Sequence, residues 1–211
     1  MRMQSIIRMP FLLLWLGLAG CESYLPQKLN YIPLAWRDKV DVLEPIDVYV
    51  SNTENPLYLA VREPGAGGLT DAVLLRPLQN MTIYRVWNGP DGPYLDDFNT
   101  TNRYGYWWTS ERPQGKLNDF RLQNAICPED NELQWVTACT LHGGSLIAVG
   151  PTQSAVCKNG ELLPGGPTLQ IYVGNYMRDV ECMKTYVKPC GEPDKTDYKA
   201  YPGELIKEDC P

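Results

Sequence analysis

The chain has 211 residues, with 25 acidic side chains against 19 basic, a formal net charge of −6 and a single histidine. That balance supplies no basic footprint for nucleic acid, and one histidine leaves only His142 for His-based catalysis. The length suits one domain or two small ones, with a core that needs no metal to stand.

The N-terminus has three zones. Arg2 and Arg8 are followed by an apolar run from Met9 to Leu16, and the run ends in Leu18-Ala19-Gly20-Cys21. A positive end and then roughly 7–15 apolar residues is the layout of a secretory signal; a spanning helix needs about 20. Small residues at 19 and 20 let an extended backbone enter a signal peptidase, and the next residue offers a thiol. This tetrapeptide resembles the lipobox of bacterial lipoproteins. The resemblance implies cleavage after Gly20, a thioether-linked diacylglycerol on Cys21, and a soluble domain on a tether. Two or three acyl chains hold such a protein on the membrane, at about 0.8 kcal/mol for each buried CH₂. Glu22 is not the aspartate that favours inner-membrane retention in the enterobacterial pattern, so the outer membrane is the expected address. The expected layout is a signal over 1–20, a lipidated N-terminus and tether over 21–45 (the tether proper over 22–30, with Trp36, Val40, Val42 and Leu43 as candidates to begin the folded part), and a β-rich periplasmic domain over 46–211, one continuous domain in preference to a division near 120. Without Arg2 and Arg8 the rest of the chain holds 17 basic residues against 25 acidic ones.

Strand signals then follow one another. Residues 46–50 alternate apolar and polar side chains, the period of a half-buried strand. Turn chemistry at 51–56 and a second apolar run at 57–61 predict a hairpin. Residues 64–68 predict a flexible glycine loop. Further strands are expected over 72–75, 81–87, 104–108, 133–136, 145–149, 169–173 and 184–187, with a Pro/Gly loop at 160–167. No amphipathic helical stretch exceeds about ten residues. Short strands at this spacing predict an all-β fold, an antiparallel sandwich or barrel-like domain.

Besides Cys21 there are Cys127, Cys139, Cys157, Cys182, Cys190 and Cys210, all in the second half of the chain. An even set in an exported chain reads as disulfides, which would staple the C-terminal half. Closely spaced pairs of the zinc-binding kind are missing. The local pairing expected is Cys127–Cys139 and Cys182–Cys190, with Cys157–Cys210 holding the tail; fifteen connectivities are possible for six cysteines.

Catalytic signals are thin. His142 stands in Leu141-His142-Gly143-Gly144-Ser145, but no Gly-x-Ser-x-Gly elbow or doubly wound pattern surrounds it, and a turn histidine is the plainer reading. Asp91, Asp96 and Asp97 have the chemistry for calcium or for a glycosidase pair, without the spacing of either; they read as a solvated loop. No cofactor or metal is expected. Residues 87–108 are richer: Trp87, Tyr94, Phe98, Tyr104, Tyr106, Trp107 and Trp108 alternate with acids and Arg103. Trp, Tyr and Arg dominate binding hot spots, and flanking carboxylates steer a partner. Adjacent strand residues point to opposite faces, so one of Trp107 and Trp108 is expected inward and the other outward. The partner contacts expected are Asp91, Tyr94, Asp96, Asp97, Tyr106 and Trp108.

The signal, acidic charge, cysteines and strands together resemble the periplasmic immunity lipoproteins that accompany type VI secretion phospholipase effectors. The resemblance implies a lipid-anchored protein without enzymatic activity, whose partner is a toxic effector, a phospholipase, blocked by occlusion of its active site. Of these features only Leu18 to Cys21 form a specific motif, so no inhibitory residue carries over. Two other readings stand beside it: an accessory lipoprotein of an envelope or secretion assembly, and an enzyme acting on envelope polymers through Asp96 or His142.

Overall fold

A computed structural model describes residues 29–46, 55–87, 104–133, 135–182 and 197–199. Eleven strands are distinguished among them: β1 (Val40–Ile46), β2 (Ala72–Pro77), β3 (Met81–Trp87), β4 (Trp107–Trp108), β5 (Trp135–Leu141), β6 (Ile147–Thr152), β7 (Ala155–Val156), β8 (Leu162–Leu163), β9 (Gly166–Tyr172), β10 (Val180–Glu181) and β11 (Asp197–Lys199). Two short helices, α1 (Leu117–Gln123) and α2 (Tyr176–Asp179), join them. One sheet has the order β1-β2-β6-β9-β4; in the other, β5 pairs with β3 and with β10 and β11; β7 and β8 form a small hairpin. All named pairings are antiparallel. No helix among the described residues is long and apolar enough to cross a membrane.

Alternation explains the layers. On β3, Met81 and Ile83 are buried and Thr82 is exposed. With Leu141, Val180 and the Cys139–Cys182 pair, Met81 and Ile83 meet Val73, Leu75, Ile147, Val149, Ile171 and Trp108 of the larger sheet in one core. The result is a β-sandwich-like all-β fold. Strand β2 reads as an unbroken apolar run because both its faces are covered. Val73 and Leu75 enter the main core, while Leu74 and Ala72 lie under the segment bearing Leu57, Ala60 and Leu69. A strand buried on both sides loses the period-2 signal. At Gly150 on β6, a Cβ would overlap the Asp71 carbonyl oxygen. Gly150→Ala is therefore expected to lower the unfolding free energy by about 3 kcal/mol, seen as a fall in the urea midpoint.

Several expectations need correction. Residues before 46 already belong to the fold: Ile32, Trp36 and Val40 are buried in the main core, so 32–45 is no tether. Residues 57–61 form no strand. Pro56–Ala60 is a 3-10 helix, started by the Asn55 side chain, which accepts from the Leu57 N–H at 3.0 Å. Asn before Pro is a helix-start signal, and Leu57 and Ala60, three residues apart, take the buried side. The hairpin expected between 46–50 and 57–61 is replaced by pairing of β1 with β2, where Ile46 faces Ala72; residues 47–50 lie outside the described set, as do 184–187. Pro45 fits because β1 is an edge strand. The strand expected from Leu133 starts at Trp135: Leu133 is fully buried at a φ of 59°, and its N–H donates to the Asn131 side chain. The glycine loop at 65–68 is clamped. Gly67 N–H donates to Ser154 O, Gln153 N–H to Gly68 O and Val156 N–H to Gly65 O, each at 2.8 Å. The main core and the β2–β6 pairing join residues from both sides of position 120.

The disulfides are Cys127–Cys157 and Cys139–Cys182, so the expected pairings Cys127–Cys139, Cys182–Cys190 and Cys157–Cys210 are wrong; Cys190 and Cys210 lie outside the described residues. Strand β5 carries Cys139 into the main core, where Cys182, just beyond β10, lies across from it. Cys127 follows α1 into a separate small cluster with Ala125, Ala155, Cys157 and Leu163. Proximity along the chain was a poor guide because a strand moves its residues away from the preceding loop. Two such bonds mark a chain that matures in an oxidising compartment.

Candidate functional site

The aromatic-rich end of the 87–108 stretch comes to the surface where β4 meets β9. Trp107 pairs directly with Tyr172, and Trp108 with Ile171. Direct cross-strand neighbours share a face, so Trp107 and Tyr172 share the face turned away from the main core, where Tyr172 joins the second cluster and Trp107 packs against it, and Trp108 enters the main core. Trp108 is 1% exposed, and its indole N–H donates to the Gly105 carbonyl at 2.7 Å. It is therefore a core residue and not the surface contact expected of it. Tyr106 does stand at the surface, 45% exposed. Its ring stacks on Tyr172 at 5.3 Å, and Tyr176 meets it edge-on at 4.9 Å. Trp107 in turn meets Tyr172 edge-on at 4.8 Å. Tyr172 itself is only 5% exposed, and Trp107 and Tyr176 are half-buried, so these rings form an aromatic ledge whose exposed part is Tyr106, with Met177, 67% exposed, next to Tyr176 in sequence. Burial, helped by the neighbouring Tyr106 phenol and opposed by Arg62, holds the Tyr172 phenol above the ordinary tyrosine range. Asp91, Tyr94, Asp96 and Asp97 lie outside the described residues.

Beside the ledge opens a cleft of about 480 Å³, reaching from Arg62 and the 65–68 loop past Trp107 and Arg85 to the turn after α1. The Arg62 guanidinium lies over the Trp107 ring at 5.9 Å, within cation–π range. Arg85 donates to the Trp107 carbonyl at 2.8 Å and lies 5.8 Å from the Trp108 ring. It keeps some contact with solvent, yet dense packing around it pushes the guanidinium down to about 10, against a pull upward from Tyr176; it carries its charge at neutral pH. A Cβ on Gly105 would lie 2.5 Å from Arg85 Nη2, so the glycine makes room for this charge.

The far wall is held by polar ties. Gln170 donates to the Asn124 carbonyl at 3.0 Å, Asn131 to the Val86 carbonyl at 2.8 Å, and Arg121 to the carbonyls of Ile126 and Asn131. The Cys127–Cys157 disulfide fastens this turn to the β7–β8 hairpin. Glu129 stands next to it: the ligand atoms of Cys127, Glu129 and Cys157 lie within 4.8 Å of one another. Disulfide sulfurs are not the thiolates a metal takes. The Glu129 carboxylate accepts from the Lys158 N–H, which holds it below the usual carboxylate range.

His142 lies in the turn between β5 and β6, away from these groups. Its Nε2 is 3.6 Å from Glu181 Oε2, its carbonyl accepts from the Ser145 N–H at 3.3 Å, and Ser145 is buried. Sequence reasoning singled out Tyr106 but missed Tyr172, Tyr176, Arg62 and Arg85. Tyr172 was legible as one position of an alternating strand; that it faces Trp107 depends on register between residues 65 positions apart.

The chain is thus a disulfide-stapled β-sandwich-like protein with an aromatic ledge and a cleft beside it. No family model, curated protein or solved structure matches it.

Proposed function

We propose that the chain is a membrane-tethered periplasmic binding protein: an immunity protein, lipidated at Cys21 and held at the outer membrane, that blocks a type VI secretion lipase effector by covering its active site. The observation that carries the reading is the exposed Tyr106 ring, backed by the half-buried Tyr176 and the buried Tyr172, with the exposed Met177 next to Tyr176 in sequence. Rigid tyrosines bury large area at small entropic cost and are typical interface anchors, and methionine adapts its shape to a partner. Two disulfides fit an envelope address. The net negative charge favours encounter with a basic partner surface.

Tyr106→Ala tests the ledge. The expected result is unchanged folding and a complex with the cognate lipase weakened at least tenfold, read by co-purification and titration with the full chain. A complex of undiminished strength would remove the ledge from the interface. A chain that captures no lipase, and whose deletion leaves cells no more sensitive to one, would overturn the immunity reading. Mass spectrometry of the mature protein tests the anchor: a diacylglyceryl group on Cys21 supports it, and an unmodified Cys21 removes it.

A further inference from the structure

The cleft has features that partner binding at the ledge does not use. Its volume falls within the roughly 300–1,000 Å³ of small-molecule sites, which combine apolar walls with a few placed polar groups. Trp107, Ile126 and Val156 supply apolar surface. Arg62, Arg85 and Lys158 line the same space, against the acids Glu129 and Asp130, and the Glu129 carboxylate is already engaged by the Lys158 N–H. In a chain of net charge −6, the three cations against two acids leave the cleft with one excess positive charge, and Arg62 and Arg85 sit at its Trp107 end. Two guanidinium groups converge on Trp107, one over its ring and one on its carbonyl. The walls are fixed in advance by the Cys127–Cys157 bond and by the ties of Gln170 and Asn131, so little ordering cost falls on binding.

We infer that this cleft is a binding site for a small amphipathic carboxylate, its apolar body lying against Trp107 and Ile126 and its carboxylate meeting the Arg62 guanidinium. Arg62 Nε donates to the Leu59 carbonyl at 3.2 Å and Nη1 to the Ala66 carbonyl at 3.4 Å, which fixes the guanidinium over Trp107; its remaining Nη1 and Nη2 hydrogens are the donors for a carboxylate, a charge-assisted contact. Arg85, more enclosed, adds positive potential from below. The site depends neither on the tether nor on a protein partner.

The test uses the purified full chain labelled with 5-fluorotryptophan. The Trp107 resonance is assigned by its loss in Trp107→Phe and followed by ¹⁹F NMR. The probes are 3-phenylpropionate and octanoate, one ring-bodied and one linear, each compared with its neutral amide. The expected result is a saturable shift of Trp107 with at least one acid, in the millimolar range or below, and at least tenfold weaker binding of the matching amide. Arg62→Met is expected to weaken the acid at least tenfold with unchanged thermal stability, and Arg62→Lys to restore part of the loss. Joint replacement of Cys127 and Cys157 by serine is expected to weaken binding by loosening the wall. No shift with either acid, or acid and amide binding equally, would overturn the proposal; that comparison needs no variant, so it stands even if Arg62→Met fails to fold.

Discussion

Trp108→Ala is expected to destabilise the protein by about 3–5 kcal/mol, the range for removing a buried Trp or Phe side chain. Trp108 is 1% exposed, among Val73, Ile147, Ile171 and Ile83 in the main core, with its indole N–H bonded to Gly105. The truncation leaves a cavity and an unpaired Gly105 carbonyl, and neighbours fixed on two sheets have little room to collapse into it. For a domain near 200 residues the melting temperature should fall on the order of 10 °C. Trp107→Ala, one residue away at the half-buried edge of the second cluster, should cost clearly less. Thermal unfolding of the two variants side by side checks this. Equal losses would contradict the assignment of Trp108 to the main core and of Trp107 to the half-buried edge of the second cluster.

Replacing Cys139 and Cys182 together by alanine should cost roughly 4 kcal/mol. The bond closes a loop with a sequence separation of 43, and the chain-entropy model gives about that value for this length. It also ties β10 to β5 within the main core, where the Cys182 N–H donates to the Tyr104 hydroxyl at 3.2 Å. Against a total stability of about 5–15 kcal/mol, the loss is large enough to leave part of the chain unfolded at 37 °C. Urea unfolding of the oxidised protein and of the double variant measures it. The Cys127–Cys157 bond closes a shorter separation of 30 around a satellite cluster, so its removal should fall more on the cleft wall than on the core. Unfolding midpoints that match within error for wild type and the Cys139/Cys182 variant would contradict this account.

The all-β character was legible in the sequence because alternation and turn residues are local signals. β3 runs over 81–87 as read, since Met81 and Ile83 face one core and Thr82 faces solvent. Residues 57–61 misled because an apolar run of five fits either period; the Asn55-Pro56 start and the Leu57–Ala60 spacing were the better guides. Trp36 and Val40 were legible as the start of folded chain, whereas Ile32 stands in a Pro-containing stretch without a period, and its burial is a tertiary fact.

By itself the sequence determined the strand-rich class, the even set of cysteines beyond position 21 and the presence of an aromatic-rich segment, all properties of residue type and near-neighbour spacing. Only the tertiary structure decided which cysteines meet, which of Trp107 and Trp108 is buried, and that Arg62 and Arg85 converge on Trp107. Those outcomes depend on the order and register of strands. Shifting β4 by one residue against β9 would exchange Trp107 and Trp108 between the main core and the opposite face, and a strand's own alternation does not say which neighbour fixes that register.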